Sequence, residues 1–190
     1  MPLDEDILQE IRRFVRGGFN DRDEIVTICC EEMYEPGELD QQEVERVVDS
    51  EFAAVARELK SWPAVTDCDK LDAVFARLNE RNIIALQNAG YTQSDGHEDV
   101  FEAYERHPQK ARIAGYCFYH GQDLARAVDG DGLYLAFGPI DPRREESEGP
   151  AIGAAIVEEL KRAGFEVDWN GTFAKRICVP KLDWKRRVRP

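Results

Sequence analysis

The densest run of polar side chains in the sequence, residues 91–99, lies between a predicted strand and the start of a predicted helix. Phenol, amide, hydroxyl, imidazole and carboxylate groups occur close together there, and they could bind a polar ligand or transfer a proton. A helix start also presents unpaired backbone N–H groups, which favour anions. The candidate ligand-binding residues of this run are Tyr91, Gln93, Ser94, Asp95 and His97.

A second polar segment, residues 119–123, also lies between a predicted strand and a predicted helix. It adds His120 and Gln122 as candidate ligand-binding residues, and His120 could serve as a general base. If the two preceding strands are neighbours, we expect the side chains of both segments to line one cleft.

Helix capping competes with ligand binding as an explanation of the first segment. Ser94 or Asp95 can cap the N-terminus of the predicted helix, and the acids that follow His97 favour its positive end. Capping does not explain why Tyr91, Gln93 and His97 occur together, so both interpretations stay open.

The histidines match no strong metal-binding motif. His97 and His120 with Asp95 or Asp99 could hold a divalent cation, but no H-E-x-x-H or H-x-H spacing is present. We therefore expect no metal and no cofactor. The sequence also lacks the G-x-S-x-G motif, the phosphate-binding loop and the G-x-G-x-x-G pattern, which favours a protein without catalytic activity.

Alternating helices and strands over residues 67–190 must position these side chains. Apolar spacing predicts helices near residues 71–78, 94–106, 122–128 and 152–164. Apolar runs predict strands at residues 83–86, 113–119, 133–137, 165–169 and 176–179, with a polar loop at residues 139–150.

A weak repeat supports a particular fold. Residues 74–88 match residues 156–170 at a constant offset of 82, as helix, turn and strand, although ordinary patterning can produce such spacing by chance. The repeat favours an α+β fold of the ferredoxin-like type, with helices on one face of a mainly antiparallel sheet.

Residues 1–66 are predicted to form an acidic subdomain of three helices. They contain 17 acidic and 7 basic residues, a net charge of −10, and Pro63 marks the boundary with the α+β domain of residues 67–190. That domain ends in a basic C-terminal tail, in which apolar residues alternate like those of a strand. We expect Trp184 to be buried and to anchor the tail.

The charge balance restricts the partners. A net charge of −13 disfavours direct binding to nucleic acid or to anionic membranes. The N-terminus lacks the pattern of a signal peptide, no apolar run is long enough to span a membrane, and five scattered cysteines are typical of a reducing compartment. We expect a cytoplasmic protein with a basic protein partner, and the oligomeric state stays open.

Three motifs resemble an uncharacterised bacterial family, a domain of unknown function. They are N-A-G-Y-T-Q-S-D-G at residues 88–96, G-Y-C-F-Y-H-G-Q-D at residues 115–123 and G-L-Y-L-A-F-G at residues 132–138. The resemblance extends over residues 67–187 and implies no known reaction and no catalytic residue. The order of helices and strands is also loosely similar to that of small regulators that inhibit a bacterial ribonuclease by direct binding.

These observations favour a non-catalytic regulatory or protein-interaction role, in which the acidic helices attract a basic partner. The same acidic faces could instead serve only for solvation. The alternative function is a small-molecule-binding protein or a hydrolase-like enzyme, with a polar site formed by residues 91–99 and 119–123.

Overall fold

A computed structural model describes residues 3–187 of the chain. These residues form two compact units, of which the first contains residues 3–66 and 184–187 and the second contains residues 67–183. Among these residues, the first unit contains helices alone, and the second contains helices and a sheet. No helix within residues 3–187 is both long and apolar enough to cross a membrane.

The first unit contains helices that begin at aspartate caps. Asp4, Asp21 and Asp40 each accept a hydrogen bond from a backbone N–H of the first turn that follows. One face of each helix is apolar, and these faces pack together around fully buried side chains such as Ile11 and Ile25. The helices are α1 (Glu5–Gly17), α2 (Arg22–Thr27, continued by a π-helical turn at Ile28–Glu32) and α3 (Gln41–Glu58, followed by a 3-10 turn at Leu59–Ser61).

Residues 184–187 of the basic tail belong to this first unit, and the described part of the tail is not a strand. Residues 182–187 have no regular secondary structure, although their apolar alternation predicts a strand. Trp184 is half-buried, and its indole Nε1 donates to the carbonyl oxygen of Arg16 at 3.1 Å. The guanidinium of Arg186 lies 4.5 Å from the ring centroid of Phe19. Arg189 lies outside the described residues.

The second unit alternates helices and strands. Its helices are α4 (Asp67–Glu80), α5 (Gln93–Arg106), α6 (Gly121–Asp129) and α7 (Glu145–Arg162). Its strands are β1 (Ile83–Leu86), β2 (Gly115–Phe118), β3 (Leu133–Pro139) and β4 (Ile177–Val179). Short 3-10 turns precede β2 at Lys110–Arg112 and α7 at Pro142–Arg144.

The four strands form one mixed sheet in the order β1-β2-β3-β4. β1 runs parallel to β2, while β2 and β3, and β3 and β4, are antiparallel. The α+β class is therefore confirmed, with a mixed sheet. The ferredoxin-like topology is not confirmed, because helix α5 returns the chain directly beside β1, whereas a split βαβ unit places another strand between its parallel strands.

Helices pack on both faces of this sheet. On one face, Val100 of α5 packs in a cluster with Tyr116 and Phe118 of β2. On the other face, a Cβ atom added to Gly115 would lie 2.6 Å from Cδ1 of Ile152, so α7 packs closely against β2 there. The expectation that helices cover one face alone is wrong, since successive side chains of β2 point to opposite faces and each face is apolar.

Two segments differ from their predicted structure. Residues 145–150 belong to α7 rather than to a polar loop, because Ile152 and Ile156 are buried and their burial outweighs the hydrogen bond that Pro150 removes. Residues 165–169 are not a strand, and only Asp168 pairs with the sheet, in an isolated bridge to Cys178. The second copy of the sequence repeat therefore lacks its strand.

The free edge of β1 is covered by a side chain. Asn79 of α4 accepts a hydrogen bond from the backbone N–H of Ala85 at 3.0 Å and donates from Nδ2 to the carbonyl oxygen of Ala85 at 3.1 Å. The same Nδ2 donates to the carbonyl oxygen of Phe75 at 3.0 Å. One amide thus ties the end of α4 to the first strand.

Candidate functional site

Helix α5 begins with a reciprocal pair of hydrogen bonds. The cap is Thr92, whose hydroxyl accepts from the N–H of Asp95, while the Asp95 carboxylate accepts from the N–H of Thr92 at 2.8 Å. Backbone and side-chain hydrogen bonds from Thr92 lower the pKa of Asp95. Asp95 therefore stabilises the start of α5, and the prediction that Ser94 or Asp95 is itself the cap is wrong.

The side of α5 that faces the sheet forms one wall of a cavity of about 330 Å³, called here the polar pocket. Gln93 and His97 line it from α5 and Tyr116 from β2. Glu145, the first residue of α7, and Arg176, just before β4, also line it. The remaining lining residues are Ala136, Phe137, Phe173 and Ala174.

An apolar pocket of about 180 Å³ adjoins the polar pocket. His97, Tyr116 and Glu145 line both cavities, so the two meet at these side chains. We call the pair the α5 groove, which has a polar end and an apolar end. The apolar end is lined by Val100, Phe101, Tyr104, Pro139, Ile140 and Pro142.

The rings of Tyr116 and His97, which line both cavities, are uncharged at neutral pH. Burial, with a smaller effect of Glu145, raises the pKa of Tyr116 to about 12. The His97 ring packs edge-on against Tyr116 and Phe118, with centroids 5.3 and 5.1 Å apart. The desolvation that this packing causes lowers the pKa of His97, although Glu145 opposes this shift. Both groups can therefore form hydrogen bonds with a ligand without adding charge.

The charges of the groove come from Arg176 and Glu145. Nη1 of Arg176 donates to Oδ2 of the buried Asp123 at 2.8 Å, and the guanidinium lies 5.2 Å from the ring centroid of Tyr134. Glu145 makes no ion pair and no hydrogen bond through its carboxylate with any residue in the described range 3–187. The groove thus combines a positioned cation with a carboxylate that lies in the first turn of α7 and has no ion-pair partner within residues 3–187.

His120 is the N-cap residue of α6 and shares its partner, Asp123, with Arg176. Its side chain is 6% exposed, and its Nε2 lies 3.0 Å from the same Oδ2 atom of Asp123. Burial lowers the pKa of His120, with Asp123 acting to raise it and Arg176 acting to lower it further. Nδ1 of His120 has no hydrogen-bond partner within the part of the chain that the structure describes.

The two predicted polar segments are neighbours, as expected from their positions after β1 and β2. The backbone N–H of Gly121 donates to the carbonyl oxygen of Gly90 at 2.9 Å, and that of Gln122 donates to the carbonyl oxygen of Tyr91 at 3.2 Å. These hydrogen bonds hold the loop before α5 against the loop before α6.

The seven predicted side chains nevertheless do not all line one pocket. Gln93 and His97 line the α5 groove, whereas Asp95 caps the helix and His120 is buried beside Asp123. The remaining three are exposed and are not among the residues that line the groove: Tyr91, Ser94 and Gln122.

Sequence reasoning missed four residues of this arrangement: Tyr116, Asp123, Glu145 and Arg176. Tyr116 and Asp123 lie inside the G-Y-C-F-Y-H-G-Q-D motif, and Asp123 lies in the predicted polar segment 119–123, but neither is among the candidate ligand-binding residues. Arg176 could have been found as a charged residue at the start of a predicted apolar strand. Glu145 gave no signal, because its segment was predicted to be a solvated loop.

The fold and the groove define an α+β protein with a pocket of ligand size, and the comparisons place it in a family. The chain belongs to the family described as Domain of unknown function (DUF6891), whose match covers residues 2–188. This confirms membership of a domain-of-unknown-function family and extends it over the first 66 residues, which the motifs did not include. No curated protein and no solved structure matches the chain.

Proposed function

We propose that this chain is a non-catalytic protein that binds a small molecule in the α5 groove. The observation that carries the proposal is the presence of two unlike charges, Arg176 and Glu145, in the lining of one cavity of about 330 Å³ that continues into an apolar one. Ligand pockets commonly measure about 300–1,000 Å³ and combine apolar walls with a few polar groups.

The chemistry of the lining favours binding over catalysis. The residues that line the two cavities include no serine, threonine or cysteine that could act as a nucleophile. The most buried histidine, His120, is directed to Asp123 rather than placed among the lining residues. A hydrolase-like enzyme is therefore the weaker form of this proposal.

Fragment binding tests the proposal directly. Two-dimensional amide NMR spectra would be recorded with a library of acids, amines, zwitterions and uncharged compounds. We expect fragments to shift the amides of Gln93, His97 and Tyr116, and Gln93→Ala to weaken their binding. Ser94→Ala is the matched control, because Ser94 is an exposed neighbour that does not line the groove. A library that leaves the groove amides unmoved would refute the proposal.

A second candidate function is the recognition of a basic protein partner by the first unit, in a regulatory, cytoplasmic role. Its described residues, 3–66 and 184–187, contain 17 acidic and 10 basic residues, which supports electrostatic attraction of such a partner. Neither nucleic acid nor a membrane is part of this proposal.

Salt-dependent capture tests this second proposal. The full chain and a variant with Glu31, Glu32 and Glu35 changed to Gln would be used as baits at low and high salt, since all three side chains are exposed. We expect one basic partner that is lost at high salt and is captured less by the variant. A set of captured proteins that depends on neither change would contradict an interaction role.

A further inference from the structure

The two charged groups of the α5 groove are available to a ligand in different ways. Arg176 is held through Nη1 by Asp123, and its guanidinium makes no other hydrogen bond with residues 3–187. Glu145 is half-buried and has no cationic partner within the same described range. Glu145 lies in the first turn of α7, where a carboxylate is favoured, and it can pair with a cationic group of a ligand without giving up an existing ion pair.

The apolar end of the groove contains Phe101 and shares Glu145 with the polar end, whereas Arg176 lines the polar end alone. Phe101 is 64% exposed, an unusual position for a large aromatic side chain, and it lines the apolar pocket together with Tyr104 and Ile140. A ligand that spans both cavities would thus contact both charges at one end and aromatic and aliphatic side chains at the other.

We propose that the α5 groove binds a free α-amino acid with an apolar, aromatic side chain. Its carboxylate pairs with Arg176, its ammonium group pairs with Glu145, and its side chain lies against Phe101 and Ile140. The inference rests on the proposed small-molecule function and specifies the class of ligand. It differs from that function in requiring both charges on one molecule.

Ligands with a single charge fit the groove less well. A simple carboxylate would pair with Arg176 but would also be near the carboxylate of Glu145, and like charges repel. A simple amine would satisfy Glu145 and leave the guanidinium of Arg176 without an anionic ligand. The neutral Tyr116 and His97 do not change this balance, so a zwitterion satisfies both charges.

Four related probes test the assignment with the full chain. They are L-phenylalanine, 3-phenylpropionate, which lacks the ammonium group, 2-phenylethylamine, which lacks the carboxylate, and L-alanine, which lacks the aromatic ring. Binding would be measured by calorimetry and by the shifts of groove amides. We expect L-phenylalanine to bind at least about tenfold more tightly than each of the others, the size typical of one lost charge-assisted hydrogen bond or apolar contact.

Three variants identify which residue of the groove recognises which part of the ligand. Glu145→Gln should abolish the preference for L-phenylalanine over 3-phenylpropionate, and Phe101→Ala should reduce the preference over L-alanine. Glu146→Gln is the matched control, because Glu146 is the exposed neighbour of Glu145 and does not line the groove. Arg176→Lys is preferred to loss of the charge, since it keeps a cation beside the buried Asp123; it should weaken the three probes that carry a carboxylate more than it weakens 2-phenylethylamine. Thermal melting would check that each variant is folded.

The outcomes separate this inference from the proposed function. Equal binding of L-phenylalanine and 3-phenylpropionate, or an unchanged preference in Glu145→Gln, overturns the zwitterion assignment while a ligand site remains. If none of the four probes moves the groove amides, the amino-acid assignment is also overturned. The separate fragment library then decides whether the groove binds a small molecule of another class.

Discussion

Two buried carboxylates in the second unit, Glu159 and Asp123, are each 1% exposed, yet their surroundings differ. Glu159 of α7 is paired with three arginines, at 2.8 Å from Arg77, 2.7 Å from Arg81 and 3.0 Å from Arg162. Burial acts to raise the pKa of Glu159, but the hydrogen bonds from Arg77 and Arg81 outweigh it, and the net shift is downward.

The negative charge of Asp123 has fewer cationic partners than that of Glu159, since it is paired with one arginine and one histidine. One of its oxygens, Oδ2, receives both His120 and Arg176, while Nδ1 of His120 is left without a partner in the described chain and Arg176 extends into the α5 groove. A buried carboxylate can therefore serve either of two purposes. The cluster around Glu159 joins α4 to α7, whereas Asp123 holds Arg176 at the wall of the α5 groove, where we propose that a ligand binds.

The largest loss of stability is expected when the ion pairs between Glu159 and its three arginines are removed. Glu159→Ala should lower the free energy of unfolding by about 2–3 kcal/mol, because three arginines lose their common partner; the cost is below that of a fully buried pair, since the arginines also contact water. Urea denaturation measures this change. The neighbouring Glu158 is 54% exposed, so Glu158→Ala should cost less than about 1 kcal/mol. Similar losses in the two variants would contradict a structural role for Glu159.

A somewhat smaller loss of stability is expected when a substitution pushes α5 away from the sheet. A Cβ atom at Gly96 would lie 2.3 Å from Cε2 of Phe118, so Gly96→Ala should overpack this contact and cost about 1–3 kcal/mol. The displaced helix should also weaken ligand binding in the groove. Denaturation and fragment titration of the same sample measure both effects, and Ser94→Ala serves as the exposed control. A Gly96→Ala protein as stable as the wild type would show that α5 is free to shift.

Asp123→Asn should separate the two roles most clearly. We expect a loss of about 1–2 kcal/mol of stability, because asparagine keeps the shape and an oxygen acceptor but not the charge. We also expect about tenfold weaker binding of L-phenylalanine, since Arg176 is no longer held by a carboxylate. Glu159→Ala should leave that affinity unchanged in calorimetric titrations. If both variants altered affinity equally, the proposed division of roles would be wrong.

The smallest effect is a dependence of stability on pH. The pKa values of His97 and His120 are below the ordinary value of 6.5, so the unfolded chain binds more protons than the folded one in the range below that value. The stability that these neutral rings contribute is complete above pH 6.5 and is lost as the pH falls through 6.5 towards the folded pKa values.

Denaturation curves at several pH values between about 7.5 and 5.5 would measure this slope, which cannot exceed about 1.4 kcal/mol per pH unit for each histidine. His120→Gln should make the slope shallower, with His107→Gln, a substitution outside this network, as the control. A slope that is unchanged in His120→Gln would mean that His120 takes up no proton in this range.

The features of the site that depend on neighbouring residues could be predicted from the sequence. The full set of residues that line the groove could not. The start of α5, the polar ends of the first two strands and their proximity follow from apolar patterning and from polar residues at element boundaries. These features led to Gln93 and His97, which do line the groove.

The charged pair of the groove could not be predicted, because it depends on long-range topology. Glu145 and Arg176 are 52 and 83 residues beyond Gln93 in the chain, and they reach the same cavity only because α7 and β4 return to the sheet. The apparent repeat pointed to a different strand order. It matched short apolar runs, and such runs do not distinguish the strand β1 from the irregular segment at residues 165–169.

The side-chain amide of Asn79 affects whether another copy of this protein can add a strand to its sheet. An uncovered edge strand offers its N–H and C=O groups to any extended chain, which leads to strand addition and aggregation. Asn79 occupies both hydrogen-bonding groups of Ala85 on the outer side of β1, where a fifth strand would bind. An incoming strand must therefore displace a side chain that already makes three hydrogen bonds with the backbone, and the sheet is protected from growth at this edge.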